Sequence, residues 1–190
     1  KDEVLELLEE KDSSKEVYYP SRFLIKFKNT EIKDIIENKI NGSDFKTHLE
    51  VFATEHKSLH TNHIIQVYAV SQSWDEGTGR FKNSPSSSNG VTWEMRTDTG
   101  SSARAKWTTS SFATATTGGI DTIGITKGGG VWYTGSAFQG SQQFLSGDSL
   151  DTNINVTSIV QKFSASLFAN STYPTGIDNH GFIIKQPDSI

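Results

Sequence analysis

The stretch VSQSWDEGTGRFKNSPSSSNGVTW, Val70 to Trp93, decides how the chain is read. It leaves an apolar segment, sets Trp74 beside Asp75 and Glu76, dissolves into serine and recovers at Trp93. Either the two carboxylates are the acid pair of an active site, or the two tryptophans close the ends of one long loop on a β-sandwich. A general acid/base pair needs carboxylates held across a cleft, roughly 5 to 10 Å apart, in environments that split their pKa values. Adjacent residues on an extended chain face opposite ways, so Asp75 and Glu76 make a poor dyad. The loop reading predicts that Trp74 closes the core at a strand end and that Asp75 and Glu76 cap the turn. Gly77 and Gly79 then supply backbone freedom, and Trp93 re-enters the sandwich.

The segments on either side carry the period of strands. SRFLIKF (Ser21 to Phe27) sets Phe23, Ile25 and Phe27 on one face, and THLEVFAT (Thr47 to Thr54) and HIIQVYAV (His63 to Val70) also alternate. The last two are expected to be neighbouring antiparallel strands. EIKDIIENKI (Glu31 to Ile40) repeats isoleucine at helical spacing, has an acid in its first turn and stops at Asn41-Gly42, which predicts a short helix. From Thr108 to Gly147 the chain is so rich in Ser, Thr and Gly that strands are expected only at islands such as IDTIGI and GVWYTGSAF. INVTSIVQKF places Val156, Ile159, Val160 and Phe163 at i, i+3, i+4 and i+7, which predicts a helix of one to two turns after a short strand. HGFIIK (His180 to Lys185) reads as a buried terminal strand. At the start, Val4, Leu7 and Leu8 have helical spacing while Leu5 and Leu7 also permit a strand.

Composition agrees with an all-β domain rich in turns. Of 190 residues, 34% are hydrophobic and a substantial 11% aromatic, more than disorder would leave. The length fits one domain with its own core, spanning residues 1–190. A formal net charge of −4, from 18 basic and 22 acidic residues, gives no footprint for duplex nucleic acid. The absence of cysteine excludes disulfides and thiolate metal sites. No apolar run approaches the roughly 20 residues of a membrane span, so no membrane insertion is expected. A start at Lys1 is expected of a piece of a longer or processed chain.

There is no Gly-x-Ser-x-Gly elbow, and KGGGVW (Lys127 to Trp132) lacks the Gly-Lys-Ser/Thr ending of a phosphate cradle. Of the histidines that a metal cluster would need, His48 and His63 are expected on strands and His56 and His60 in a loop; with no cysteine or carboxylate at ligand spacing, solvated histidines are the expectation. GDSLDTNIN (Gly147 to Asn155) brings Asp148, Asp151, Asn153 and Asn155 into one short loop, and hard oxygen donors at alternate positions suit Ca²⁺. Lacking the bidentate acid of a calcium-binding helical loop, it reads first as a turn whose Asx side chains bond their own backbone, with structural calcium as the alternative. Aromatic rings stack on the apolar faces of sugars. Trp132 and Tyr133, with Gln139, Gln142 and Gln143 nearby, are therefore the best candidates for a sugar platform, and Trp107 is a weaker one. Against that stands the reading in which these rings plug the sandwich.

The order SRFLIKF, short helix, LEVFA, IQVYAVSQSWDEGTG, GVTW, INVTSIVQKF and GFIIK resembles the DNRLRE domain, over most of the chain from Ser21 to Lys185. That family is a jelly-roll β-sandwich related to carbohydrate-binding modules, found on secreted surface proteins, beside polysaccharide lyases and in virion proteins of tailed phages. GGGVWYTGSAF is most similar to the phage versions. The insertion between Trp107 and Asp148 is longer than in secreted members, and a further upstream strand usual in the family is missing. The resemblance makes Val4 to Glu9 a strand.

It implies an all-β, jelly-roll-like antiparallel sandwich with one or two short helices. The implied role is a non-enzymatic structural or adhesive domain of a phage virion, in the tail, baseplate, fibre or head-decoration class. Its partners would be other virion subunits in a homo-oligomer or larger assembly, and a host-surface glycan. The alternative is a carbohydrate-binding module of a secreted or cell-surface protein.

Overall fold

A computed structural model describes residues 9–12, 17–40, 44–53, 62–78, 89–98, 104–107, 115–117, 129–145, 148, 151–168 and 176–187. Among these residues the structure is an antiparallel all-β sandwich with two short helices. The strands are β1 (Glu9–Asp12), β2 (Val17–Pro20), β3 (Arg22–Ile25), β4 (His48–Val51), β5 (His63–Ala69), β6 (Met95–Asp98), β7 (Arg104–Lys106), β8 (Ala115–Thr117), β9 (Val131–Tyr133), β10 (Gln139–Phe144), β11 (Thr152–Asn155) and β12 (Phe182–Lys185). The helices are α1 (Asn29–Asn38) and α2 (Thr157–Leu167). The strand predicted at Val4 to Glu9 lies outside the described residues except for Glu9, which opens β1. The IDTIGI island lies wholly outside them.

Four strands form the main sheet in the order β10-β5-β12-β3. β12, last in sequence, is central in space, and all four of its residues are buried, as expected of a strand covered on both faces. The register sets the two faces: Phe182 pairs with Ala69 and Ile25, and Ile184 with Val67 and Phe23. These residues look toward the first core. The alternate row of Leu24, Ile183, Tyr68 and Gln139 looks the other way.

Two elements cover the first face. β4 and β11 pair so that Leu49 lies opposite Ile154, and both enter the core with Val67 and Ala69. The alternation predicts β4 and β5 as neighbours in one sheet; they belong instead to different sheets and meet face to face. Each buries an apolar row, and packing those rows across the sandwich removes both from water, which edge-to-edge pairing would not do. α2 covers the rest, with Phe163 edge-on to Phe182 at 5.5 Å. It begins where Asn155 Oδ1 accepts the Thr157 N–H at 3.0 Å, and it runs three turns rather than the one or two predicted. Gly140 is where β10 meets β11 most closely, since a Cβ there would lie 2.6 Å from the Asn155 carbonyl oxygen.

The second correction concerns β10 itself. QGSQQF carries one apolar residue and gave no strand signal, yet it pairs with β5 along six positions, Gln139↔Tyr68 through Phe144↔His63. An edge strand with one solvated face needs only its partner's backbone and an apolar anchor. Phe144, 1% exposed and stacked on His63 at 4.8 Å, is that anchor.

Candidate functional site

The second face of the main sheet divides into a sealed half and an open half. The long loop builds the sealed half. Trp74 packs there, its indole N–H donating to the His180 carbonyl at 2.7 Å. The Asp75 N–H donates to the Arg96 carbonyl and the Val91 N–H to the Asp75 carbonyl, so the loop's two ends are stitched together. Gly77 and Gly90 approach back to back with φ of 75° and 103°, where a Cβ on either would strike the other's backbone. Side-chain bonds of the turn run between Thr78 and Asn89. Asp75 and Glu76 are exposed.

β9 extends the edge of β5 beyond β10, through a bridge between Val70 and Trp132. This puts the Trp132 side chain on the second face, where it is 4% exposed, tilted against Tyr68 at 5.7 Å. The Lys185 ammonium lies 5.2 Å from its centroid and 6.0 Å from that of Tyr68. The Arg22 guanidinium sits 5.2 Å from Trp132 and 4.7 Å from Trp93, and donates to the Gly129 carbonyl at 2.9 Å. Taking a lysine to 3% exposure is costly; the quadrupoles of facing rings recover about 0.5–2 kcal/mol per contact. Gly129 and Gly130 have φ of 72° and 105°; a Cβ on Gly129 would strike Arg22 and Trp93, and one on Gly130 would strike Ile183. Trp107, 7% exposed, joins the same cluster and donates its indole N–H to the Thr92 carbonyl at 3.1 Å.

Tyr133 turns the other way, as alternation along a strand demands. It packs on Phe138 at 5.2 Å beside the first core, and burial, reinforced by Asp178, raises its phenol pKa above 10.0. Trp132 and Tyr133 therefore do not share a surface, and neither Trp132 nor Trp107 presents an open ring face.

The open half belongs to β10 and β5. Gln139, Ser141 and Gln143 point outward and are exposed. Beside them on the same face, by register, lie Tyr68, Gln66 and Ile64, the last 36% exposed. Gln142 points to the opposite face, where its Oε1 accepts the Asn153 N–H at 2.7 Å and its Nε2 donates to the Asp151 carbonyl at 3.4 Å, pinning β10 to β11. Of the predicted site residues, Gln139 and the neighbouring Gln143 share a surface, whereas Trp132, Tyr133 and Trp107 do not join it. Sequence reasoning missed Ser141, Gln66 and Ile64. The signal was the polar alternation of QGSQQF opposite HIIQVYA, visible only once the two are known to pair.

The calcium candidates are bonded within the fold, Asp148 and Asp151 through carboxylate oxygens and Asn153 through its amide nitrogen. An Asp148 carboxylate oxygen accepts the Leu145 N–H at 2.8 Å, Asp151 accepts the Ala53 N–H at 2.9 Å, and the Asn153 amide donates to Glu50 at 3.2 Å. Among the described residues no three His, Asp or Glu side chains gather as a metal site. His48 and His63 are on strands; His56 and His60 lie outside the described residues. His180 is half-buried, and desolvation lowers its pKa below 6.5, with Asp178 opposing and Lys26 and Arg96 assisting. No described helix is long and apolar enough to cross a membrane. No family model, curated protein or solved structure matches the chain.

Proposed function

We propose that this chain is a non-enzymatic structural and adhesive domain that makes contacts through the open half of its main sheet. The setting we propose is a phage virion, in its tail, baseplate, fibre or head decoration, with other virion subunits as partners in a symmetric assembly. The observation that carries the adhesive reading is the exposed row Gln139, Ser141 and Gln143, held on a strand paired with β5 at six positions. Rigid display lowers the entropy lost when a surface binds. The virion setting rests on the ordered motifs from SRFLIKF to GFIIK.

Electron cryo-microscopy of the native source tests both parts. The expected image places the domain on an assembled particle with the β10 and β5 face against a neighbour or directed to the host. A domain free of any particle overturns the setting, and a particle contact made only by another surface overturns the adhesive role of the sheet. A carbohydrate-binding module of a secreted or cell-surface protein is the second reading. The uncharged amide and hydroxyl character of the open face favours it.

A further inference from the structure

We infer that the open half of the main sheet, Gln139, Ser141 and Gln143 on β10 with Gln66 and Ile64 on β5, binds a neutral polysaccharide lying along the strand. The inference rests on the adhesive reading and names its ligand class. Alternate residues on a strand are about 6.8 Å apart, so the three exposed β10 side chains mark a track of about 14 Å. That is the length of a short oligosaccharide, not of a single small molecule.

The chemistry of the track is selective. Each glutamine amide offers two N–H donors and one acceptor oxygen, and Ser141 offers a donor and an acceptor. A sugar hydroxyl needs both kinds of partner at once. No formal charge stands among Gln139, Ser141, Gln143, Gln66 and Ile64; Lys185, beside Gln66 in the register, is 3% exposed. Lys185 is boxed by Tyr68 and Trp132, and Arg22 is clasped between Trp93 and Trp132. A face with this charge pattern gains nothing from carboxylates, sulfates or phosphates. Ile64 supplies an apolar spot for the C–H face of a sugar ring.

A protein partner would need an apolar interface core, and the open face offers Ile64 alone among its exposed residues for that purpose. The face is also ready-made. Its backbone is fixed by the β5 register and its underside by Gln142, so binding orders only exposed side chains, at about 0.5–1.5 kcal/mol each.

The test uses the whole chain on immobilised neutral polymers (dextran, galactomannan and a β-glucan) and anionic ones (alginate and hyaluronan). Wild type is compared with the double variant Gln139→Ala/Gln143→Ala, with Ser141→Arg, and with Glu37→Ala on the exposed side of α1 as a control. The expected result is retention on a neutral polymer that is insensitive to salt and at least tenfold weaker in the double variant and in Ser141→Arg. Glu37→Ala should equal wild type, and all four proteins should melt alike. Retention on none of the neutral polymers, retention only on anionic ones, or retention unchanged by the two β10 variants overturns the inference.

Co-sedimentation of the same proteins with native particles or surfaces separates the two readings. If the β10 variants lose that association while no neutral polymer is bound, the adhesive reading stands and the partner is a protein. If a neutral polymer is bound through β10 but no particle or surface is, the ligand class stands and the setting falls.

Discussion

The two faces of the main sheet solve the same problem with different materials. One is sealed by aliphatic and phenyl side chains from β4, β11 and α2, of which Leu49, Ile154, Ile159, Val160 and Phe163 are each less than a tenth exposed. The other is sealed in part by tryptophans that hold two cations, and left open along β10. The first face does nothing but exclude water, so any filling of the right volume would serve. The second must cover the centre of the sheet while stopping short of β10, and flat indoles with long cationic chains do this in a single thickness. The boundary between them fixes where a ligand could lie.

Removing Phe163 tests the first face most severely. It is fully buried, and Phe163→Ala should cost about 3–5 kcal/mol through lost transfer energy and the cavity left behind. Urea unfolding would show it as a lower midpoint with an unchanged slope. A loss under about 1 kcal/mol would mean that α2 is not part of the core.

Leucine replacements sharpen the contrast. Phe163→Leu keeps most of the apolar volume and should cost about 1.5 kcal/mol or less. Trp132→Leu removes the ring faced by both Arg22 and Lys185, leaving a 3%-exposed ammonium with less to offset its burial. It should cost about 1–2 kcal/mol more than Phe163→Leu. Equal losses would reduce Trp132 to a filler and erase the distinction between the faces.

A pH experiment probes the seam where Trp74 of the second cluster bonds the His180 carbonyl. Desolvation lowers the folded pKa of His180 below 6.5, so the unfolded chain binds a proton that the folded one resists. The resulting stability is fully present above pH 6.5 and is lost as pH falls through 6.5 toward the folded value. Melting temperatures from pH 7.5 to 5 should therefore fall more for wild type than for His180→Gln. Parallel curves would show that the ring is solvated and that the seam is looser than its hydrogen bonds indicate.

Much of the first face was legible from sequence because its signals are local. The alternation in SRFLIKF and HIIQVYAV, and the i, i+3, i+4, i+7 stripe of α2, are consequences of burying one side of a regular element. What was not legible depends on pairing. Nothing in HLEV says that its strand faces β5 across a core, because both arrangements bury the same leucine. QGSQQF looks like loop because half of what makes it a strand is the backbone of β5. The same limit applies to the candidate site. Trp132 and Tyr133 were grouped because adjacent in sequence, and strand geometry separates adjacent residues onto opposite faces. The glutamines, named only as neighbours of those rings, hold the exposed surface.

The smallest expected effect makes the most specific claim about the open half. Gln139 and Gln143 each touch solvent, and the amide that pins β10 to the layer beneath belongs to Gln142. Gln139→Ala/Gln143→Ala should change unfolding free energy by no more than about 0.5 kcal/mol per site, the ordinary range for surface positions. Gln142→Ala should cost more, about 0.5–1.5 kcal/mol, because it removes the acceptor that the solvent-exposed Asn153 N–H now meets at 2.7 Å. That ordering, with the middle glutamine structural and its flanking partners dispensable to folding, follows from alternation along one strand. If the outer pair proved as costly as Gln142, the row would be part of the fold's own bonding and could not be free to meet a ligand.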